Sequence, residues 1–160
     1  MKLSENFTLQ EFTRSATASR LGIINKPDIA SIDNIQNLVS NVLQPIRDVL
    51  GPIRITSGFR NADLCRAVGS KITSQHAKGQ AVDIQYYKNG KMDNIKIYNT
   101  VLKLKIDFDQ IILEYGDSTK QKDPLYPDWI HISHKCKNNR NQVLVAYKEN
   151  KNTIYRNLNN

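Results

Sequence analysis

The feature that most restricts the fold of this chain is a long apolar periodicity between residues 31 and 50. Side chains recur there at helical spacing, namely Ile32, Ile35, Leu38, Val39, Val42, Leu43, Ile46 and Leu50. Because residues three or four apart share one face of a helix, the stretch predicts a long amphipathic helix that begins at a Ser31 cap and ends at Gly51. Pro45 removes one backbone donor, so we expect a kink or break one turn before the helix ends.

Shorter patterns on both sides of this stretch mix helices with strands. Thr8 and Glu11 have the spacing of a capping box, which predicts a short helix, and residues 61–68 and 93–105 also have helical spacing. Alternating segments predict four strands, at residues 53–56, 81–86, 108–113 and 129–133. Asn89-Gly90 predicts a turn after the second of these. Residues 143–147 fit either a strand or a short helix.

These elements predict one α+β domain in which a small antiparallel sheet is flanked by helices. A chain of 160 residues is long enough to bury about two thirds of its unfolded surface, so it can build a single core. We expect a domain at residues 1–148, with a mainly helical part at 1–50 and the candidate site within 51–148. The Asn- and Lys-rich residues 149–160 are expected to form a flexible tail. A polar segment before Trp129 contains Asp117, Asp123, Pro124 and Pro127.

Composition restricts the possible partners. The net charge of +8 predicts attraction to polyanions, but the lysines are scattered and no base-stacking motif is present, so dedicated nucleic-acid binding is a minor alternative. No apolar run approaches the ~20 residues of a membrane span. The first residues lack the apolar segment of an export signal, so we expect synthesis in a cytoplasm without a signal peptide. Cys65 and Cys136 predict two reduced thiols, and nothing indicates more than a monomer.

Two histidines lie in contexts that suggest a metal site. In a strand at residues 81–86, Asp83 points away from the core face, and Gly79 lets the preceding chain turn back so that His76 approaches Asp83. His131 alternates with Ile130 and Ile132 and therefore also points away from the core. Each histidine alone is more often structural than a ligand. Together, two imidazoles and one carboxylate predict one catalytic Zn²⁺ ion, because three protein ligands leave the fourth position for water.

A hydrolase with such an ion also needs a proton carrier and a cation. Asp128 is the carboxylate nearest to His131 in the sequence, and it can act as the general base if it lies in the turn before the strand. Arg60 follows a predicted strand and can stabilise developing negative charge or bind a substrate carboxylate. His134 lies out of phase with His131 and is expected to be exposed. Glu114 is a further carboxylate, interpreted as a scaffold residue.

These residues belong to an ordered series that resembles a known family. The matching segments are residues 7–18, 41–47, 56–60, 74–83, 108–114, 129–133 and 139–140. The series resembles the zinc D-alanyl-D-alanine carboxypeptidases and phage endolysin peptidases, which share a fold with the hedgehog signalling domain. Two positions depart from the pattern: Cys65 stands where asparagine is expected, and residues 70–72 replace a Gly-Ser-Pro-like run.

The resemblance implies a hedgehog/DD-peptidase-like fold and a role for each site residue. It assigns His76, Asp83 and His131 to zinc and Asp128 to the general base. It assigns Arg60 to the substrate, and it adds Ser74 as a second substrate residue. The implied function is zinc-dependent hydrolysis of a peptidoglycan stem peptide, of the D-Ala-D-Ala carboxypeptidase or endopeptidase type.

The expected biological setting is a phage or prophage endolysin or a virion-associated lysin. Such an enzyme reaches the cell wall after holin release or as a virion component, and its partner is the stem peptide. The alternative is a catalytically silent cell-wall-binding module of the same fold.

Overall fold

Six α-helices and seven strands are present in a computed structural model that describes residues 1–115 and 126–158. The helices are α1 (Leu9–Thr13), α2 (Ala16–Leu21), α3 (Ile29–Leu38), α4 (Gln44–Leu50), α5 (Ala62–Ala67) and α6 (Ile95–Leu104). The strands are β1 (Ile53–Ser57), β2 (Ala81–Lys88), β3 (Lys91–Met92), β4 (Gln110–Glu114), β5 (Trp129–Ser133), β6 (Gln142–Glu149) and β7 (Asn152–Asn157). The predicted α+β class is confirmed.

The strands form one sheet in the order β1-β2-β5-β4-β6-β7, and β3 pairs with β2 as a short hairpin. Asn89 and Gly90 make the predicted turn of this hairpin, and both have positive φ values, 50° and 75°. The sheet is antiparallel, as predicted, except that β6 runs parallel to β4. This exception arises because β5 and β6 lie on opposite sides of β4, so the chain crosses over β4 between them.

The predicted long helix is present, but Pro45 changes its middle rather than its end. Between α3 and α4, residues Val39–Leu43 form a π-helical segment, in which the N–H of Gln44 donates to the carbonyl of Val39. One extra residue in this turn accommodates the proline that follows, which cannot donate. The predicted Ser31 cap is wrong: Asp28 is the N-cap, and its Oδ1 accepts from the Ser31 N–H at 2.8 Å. Gly51 ends α4, as predicted.

The core lies between the helices and one face of the sheet. Fully buried sheet residues on this face are Val82, Ile84, Ile111, Leu113, Ile130 and Ile132, and the helices contribute Ile35, Leu38, Leu43, Ile46, Ile97 and Val101. Because side chains alternate along a strand, the intervening residues occupy the opposite face. That second face carries the polar site residues described below.

The C-terminal part differs from the prediction. The sequence allowed either a strand or a short helix at residues 143–147, and the structure places them in β6. Residues 152–157, expected in a flexible tail, form β7 and pair antiparallel with β6, since Asn150 and Lys151 adopt the positive φ values of a tight hairpin. Asp117, Asp123 and Pro124 of the predicted polar segment lie outside the described residues. Within the described ranges, no helix is long and apolar enough to cross a membrane.

Candidate metal centre

Two of the three predicted ligands are brought together by strand pairing. Asp83 on β2 lies directly opposite His131 on β5 in the antiparallel register. Both side chains leave the sheet on the face opposite Val82 and Ile132, because the residues of a strand alternate between its faces. Asp83 is 9% exposed, and the Nδ1 of His131 lies 2.9 Å from its Oδ1.

The third ligand comes from a turn, and two glycines position it. His76 begins a 3₁₀ turn (His76–Lys78) that Gly79 ends in the left-handed conformation, at φ 69°. The Nδ1–H of His76 donates to the carbonyl of Gly58 at 2.7 Å, which leaves the Nε2 lone pair free for the site. Position 58 must be glycine, because a Cβ there would lie 2.5 Å from the carbonyl oxygen of Phe12.

The donor atoms converge at distances that fit a small metal ion. The Nε2 of His76 lies 3.3 Å from the Oδ1 of Asp83 and 3.3 Å from the Nδ1 of His131. A tetrahedral zinc ion with ligand bonds of about 2.0–2.1 Å holds its ligand atoms about 3.3 Å apart. These three residues are also the one set of potential metal ligands that the described part of the chain contains. The residues therefore fit zinc in donor type, number and spacing.

Asp83 is held in its ionised form. Burial raises the pKa of this carboxyl, but its polar interactions with His131 and His76 outweigh burial and hold the pKa well below its ordinary value. Its second oxygen, Oδ2, accepts from the Nη2 of Arg60 at 3.1 Å. Arg60 is in turn held by the hydroxyl of Ser57, at 2.8 Å from Nη2 and 3.1 Å from Nε. The structure thus places Arg60 at the edge of the ligand cluster.

Asp128 lies in a bend just before β5, the position that its predicted role requires. It is exposed, and its carbonyl accepts from the side-chain amides of Gln85 and Asn94, at 2.9 and 2.8 Å. Its N–H donates to the carbonyl of Glu114 at 2.8 Å. The backbone of this bend is therefore fixed on both sides. Its role as the base stays a prediction.

Glu114 is a second carboxylate on the face that carries the ligands. It lies two residues beyond Ile112, which pairs with His131, so both β4 side chains leave the sheet on the same face. Glu114 is 8% exposed, and burial raises its pKa to about 7, with a smaller contribution from the charge of Asp83. Sequence alone did not indicate this burial.

Ser74 forms a hydrogen bond within its own turn. The hydroxyl of Ser74 accepts from the N–H of Ala77 at 3.3 Å and so supports the turn that carries His76.

The predicted exposure of His134 is wrong: this residue is 7% exposed, and the Nδ1 of its ring has no hydrogen-bond partner among the described residues. Its N–H donates to the carbonyl of Gln80, which extends the β2–β5 pairing by one residue and directs the ring toward the core face.

The individual residues did not predict an ionic cluster next to the site, which surrounds the buried Asp109. Asp109 accepts from Arg140 at 2.6 Å, from Gln75 at 3.0 Å and from Lys135 at 2.7 Å. Burial raises the pKa of Asp109, but these partners outweigh it and lower the pKa to about 2. Gln75 precedes His76, so the cluster anchors the ligand turn. The sequence did contain an indication of this cluster, because the segments 108–114 and 139–140, which include Asp109 and Arg140, both belong to the ordered series that resembles the family.

Comparison with known proteins gives one match. A family model described as Peptidase M15 matches residues 5–133, which include all three candidate ligands, Arg60 and Asp128. A search of curated proteins finds no match.

Proposed function

Because the chain belongs to the peptidase M15 family, which is zinc-dependent, we propose that it is a zinc peptidase that hydrolyses stem peptides of bacterial peptidoglycan. Membership of this family identifies the chain as a metallopeptidase. The observation that carries the zinc assignment is the convergence of His76, Asp83 and His131, whose donor atoms lie 2.9–3.3 Å apart. Two imidazoles and one carboxylate leave one position of a tetrahedral ion for water.

The residues around the centre divide the catalytic work. Zinc held by His76, Asp83 and His131 would supply Lewis-acid chemistry, which would polarise the scissile carbonyl and make water more acidic. Asp128 accepts a proton from the attacking water and returns it to the leaving amine. Arg60 donates to the negative charge that develops on the carbonyl oxygen, and Ser74 contacts the substrate. In this scheme Glu114 is a buried scaffold residue on the same face.

We further propose that the chain is a phage or prophage endolysin or a virion-associated lysin that acts as a monomer. It reaches the wall after holin release or as part of a virion, and it acts as a D-Ala-D-Ala carboxypeptidase or as an endopeptidase. Two observations support this setting. The ordered series of segments resembles that group of peptidases, and the net charge of +8 suits the acidic polymers of a bacterial envelope.

Zinc analysis followed by digestion tests the function. Purified protein should contain one zinc ion per chain, by elemental analysis, and should release fragments from peptidoglycan whose new termini mass spectrometry identifies. A chelator should remove both zinc and activity, and added zinc should restore them. New C-termini inside cross-linked fragments indicate an endopeptidase, whereas loss of a terminal D-alanine alone indicates a carboxypeptidase.

The same measurements separate the alternatives. A catalytically silent wall-binding module would sediment with peptidoglycan, with or without zinc, and would release no fragment. A nucleic-acid-binding protein would show neither wall binding nor cleavage and would shift DNA or RNA in a gel. Either pattern in folded, zinc-loaded protein would overturn the proposed peptidase.

A further inference from the structure

A cavity of about 430 Å³ borders the candidate centre on the side of Arg60. It lies between β1, the α1–α2 segment and α5, and its lining includes Arg14, Arg54 and Arg60. Cavities of this size commonly hold small ligands or a few residues of a peptide. Arg60 both lines the cavity and donates to Asp83, so this side chain joins the cavity to a proposed zinc ligand.

The charge of this cavity is predominantly positive. Its lining has three arginines and one acidic residue, Glu11, whose Oε2 already accepts from the N–H and the hydroxyl of Thr8, at 2.7 and 2.8 Å. Neither Arg14 nor Arg54 forms an ion pair with a described residue. Cations gathered in a concave site attract anions more strongly than scattered ones. A guanidinium group binds a carboxylate or a phosphate with two parallel hydrogen bonds, and the carboxylate is the anion that a peptide substrate carries.

The position of β1 indicates the shape of the ligand. β1 is the edge strand of the sheet, so alternate backbone N–H and C=O groups point outward, where an extended peptide can pair with them. Beyond the strand, the N–H of Phe59 donates to the carbonyl of Phe12 at 2.7 Å, which occupies this edge. The open part of the edge is thus the stretch next to Arg54. From there the lining continues to Arg60, whose guanidinium donates to Asp83.

We propose that this cavity is a substrate subsite in which Arg14 and Arg54 bind a carboxylate of an extended peptide whose scissile bond lies at the zinc centre. This inference rests on the proposed peptidase function and adds a substrate requirement to it. A stem peptide offers two such groups, the free carboxyl of D-glutamate and the C-terminal carboxyl of D-alanine. Both present the same chemistry to a guanidinium.

The test compares peptides that differ in one carboxyl. One pair of stem peptides has the D-glutamate carboxyl free or amidated, and a second pair has the C-terminal carboxyl free or amidated. In the Arg14→Gln/Arg54→Gln variant, KM for the free-carboxyl peptide should rise roughly 10- to 100-fold, because charge-assisted hydrogen bonds to the carboxylate are lost. The amidated partner should have the same KM with parent and variant. The pair that responds identifies the carboxylate.

A matched control removes the same charge elsewhere. Arg20→Gln/Arg66→Gln loses two arginines from exposed positions outside the cavity lining and should retain the parent KM for every peptide. Zinc content should agree among the three proteins, and thermal unfolding should show each of them folded at the assay temperature, so that a change in KM reports binding.

Equal KM values for parent and Arg14→Gln/Arg54→Gln on both peptide pairs would overturn the subsite. So would a variant that loses affinity for a phosphate polymer while its peptide KM values stay unchanged, because the cavity would then bind a wall polymer. If the parent cleaves no peptide, the proposed function fails. Calorimetric titration of the same peptides then decides the subsite: selective binding of the free-carboxyl form that the variant loses supports it, and equal binding refutes it.

Discussion

Asp83 and Asp109 are two buried carboxylates with lowered pKa values, and their partners differ in chemistry. Asp83 is 9% exposed and is surrounded by His76 and His131, with Arg60 at its second oxygen. Asp109 is 1% exposed and is surrounded by permanent cations and an amide, from Arg140, Lys135 and Gln75. In both clusters the partners outweigh the cost of burial.

The difference shows why only one cluster suits a metal. An imidazole can be neutral and then offers a lone pair, whereas protonated lysine and arginine have only donors. The cluster of Asp83 can therefore exchange protons for a metal ion, while the cluster of Asp109 can only pair charges. Gln75 joins the two, since it binds Asp109 and precedes His76. We infer that Asp109 holds the turn and Asp83 holds the ion.

The largest expected effect comes from removing a ligand. Alanine at His76, Asp83 or His131 should eliminate most bound zinc and reduce activity to background, because two ligands cannot hold the ion against solvent. The loss of zinc affinity should exceed the 10- to 100-fold that is typical of outer-shell changes. Elemental analysis after dialysis measures it. A variant that keeps stoichiometric zinc would remove its residue from the ligand set.

The next largest effect separates catalysis from metal binding within the same site. Asp128→Ala should retain zinc and folding while turnover falls by about 10²–10⁴-fold, the usual contribution of a general base. Glu114→Ala should instead affect folding or zinc affinity more than turnover of the metallated protein. Steady-state kinetics at matched zinc content measures both. A nearly unchanged Asp128 variant beside a folded, metallated and inactive Glu114 variant would transfer the base role to Glu114.

A stability effect should come from the cluster of Asp109. Asp109→Asn should lower the free energy of unfolding by about 1.5–3 kcal/mol at pH 7, the range for hydrogen bonds to charged groups, while zinc is retained. The folded-state pKa of about 2 lies below the ordinary 3.8, so this stabilisation is present above pH 3.8 and disappears as pH falls toward 2. Denaturant titrations of parent and variant at several pH values measure the difference.

An exposed ion pair provides the control for this measurement. Asp63→Asn breaks a pair with Arg66 whose side chains are 67% and 63% exposed, so it should cost no more than about 1 kcal/mol. An Asp109 variant as stable as the Asp63 variant, or a deficit that grows at low pH, would contradict the structural role of the cluster.

The smallest effect is expected at the thiols. Cys136→Ser and Cys65→Ser should keep zinc and activity, because neither sulfur takes part in the proposed site. Cys136 is exposed, and the buried Cys65 thiol donates to the carbonyl of Arg60 at 3.4 Å, a bond that a serine hydroxyl can replace. Zinc analysis and cleavage assays check this. Zinc loss in either variant would mean that a ligand has been misassigned.

Local patterns in the sequence determined much of the fold and the identity of the candidate ligands. Alternation places Asp83 and His131 on the polar face of their strands whatever the strands pair with, since side-chain direction is a property of the strand itself. The same holds for the capping box at Thr8 and for the turn at Asn89-Gly90. The α+β class followed from the presence of both helical spacing and strand alternation of apolar residues along the chain.

Tertiary structure decided what depends on residues distant in sequence. The register that opposes Asp83 to His131, the carbonyl of Gly58 that orients His76, and the burial of Glu114 and His134 each require a pairing between separate elements. Hairpin pairing likewise ordered residues 152–157, which composition suggested would be flexible. A local period states which way a side chain points from its own backbone. Long-range packing decides which groups that side chain contacts. Those contacts in turn set its pKa and decide whether it can take part in a metal site.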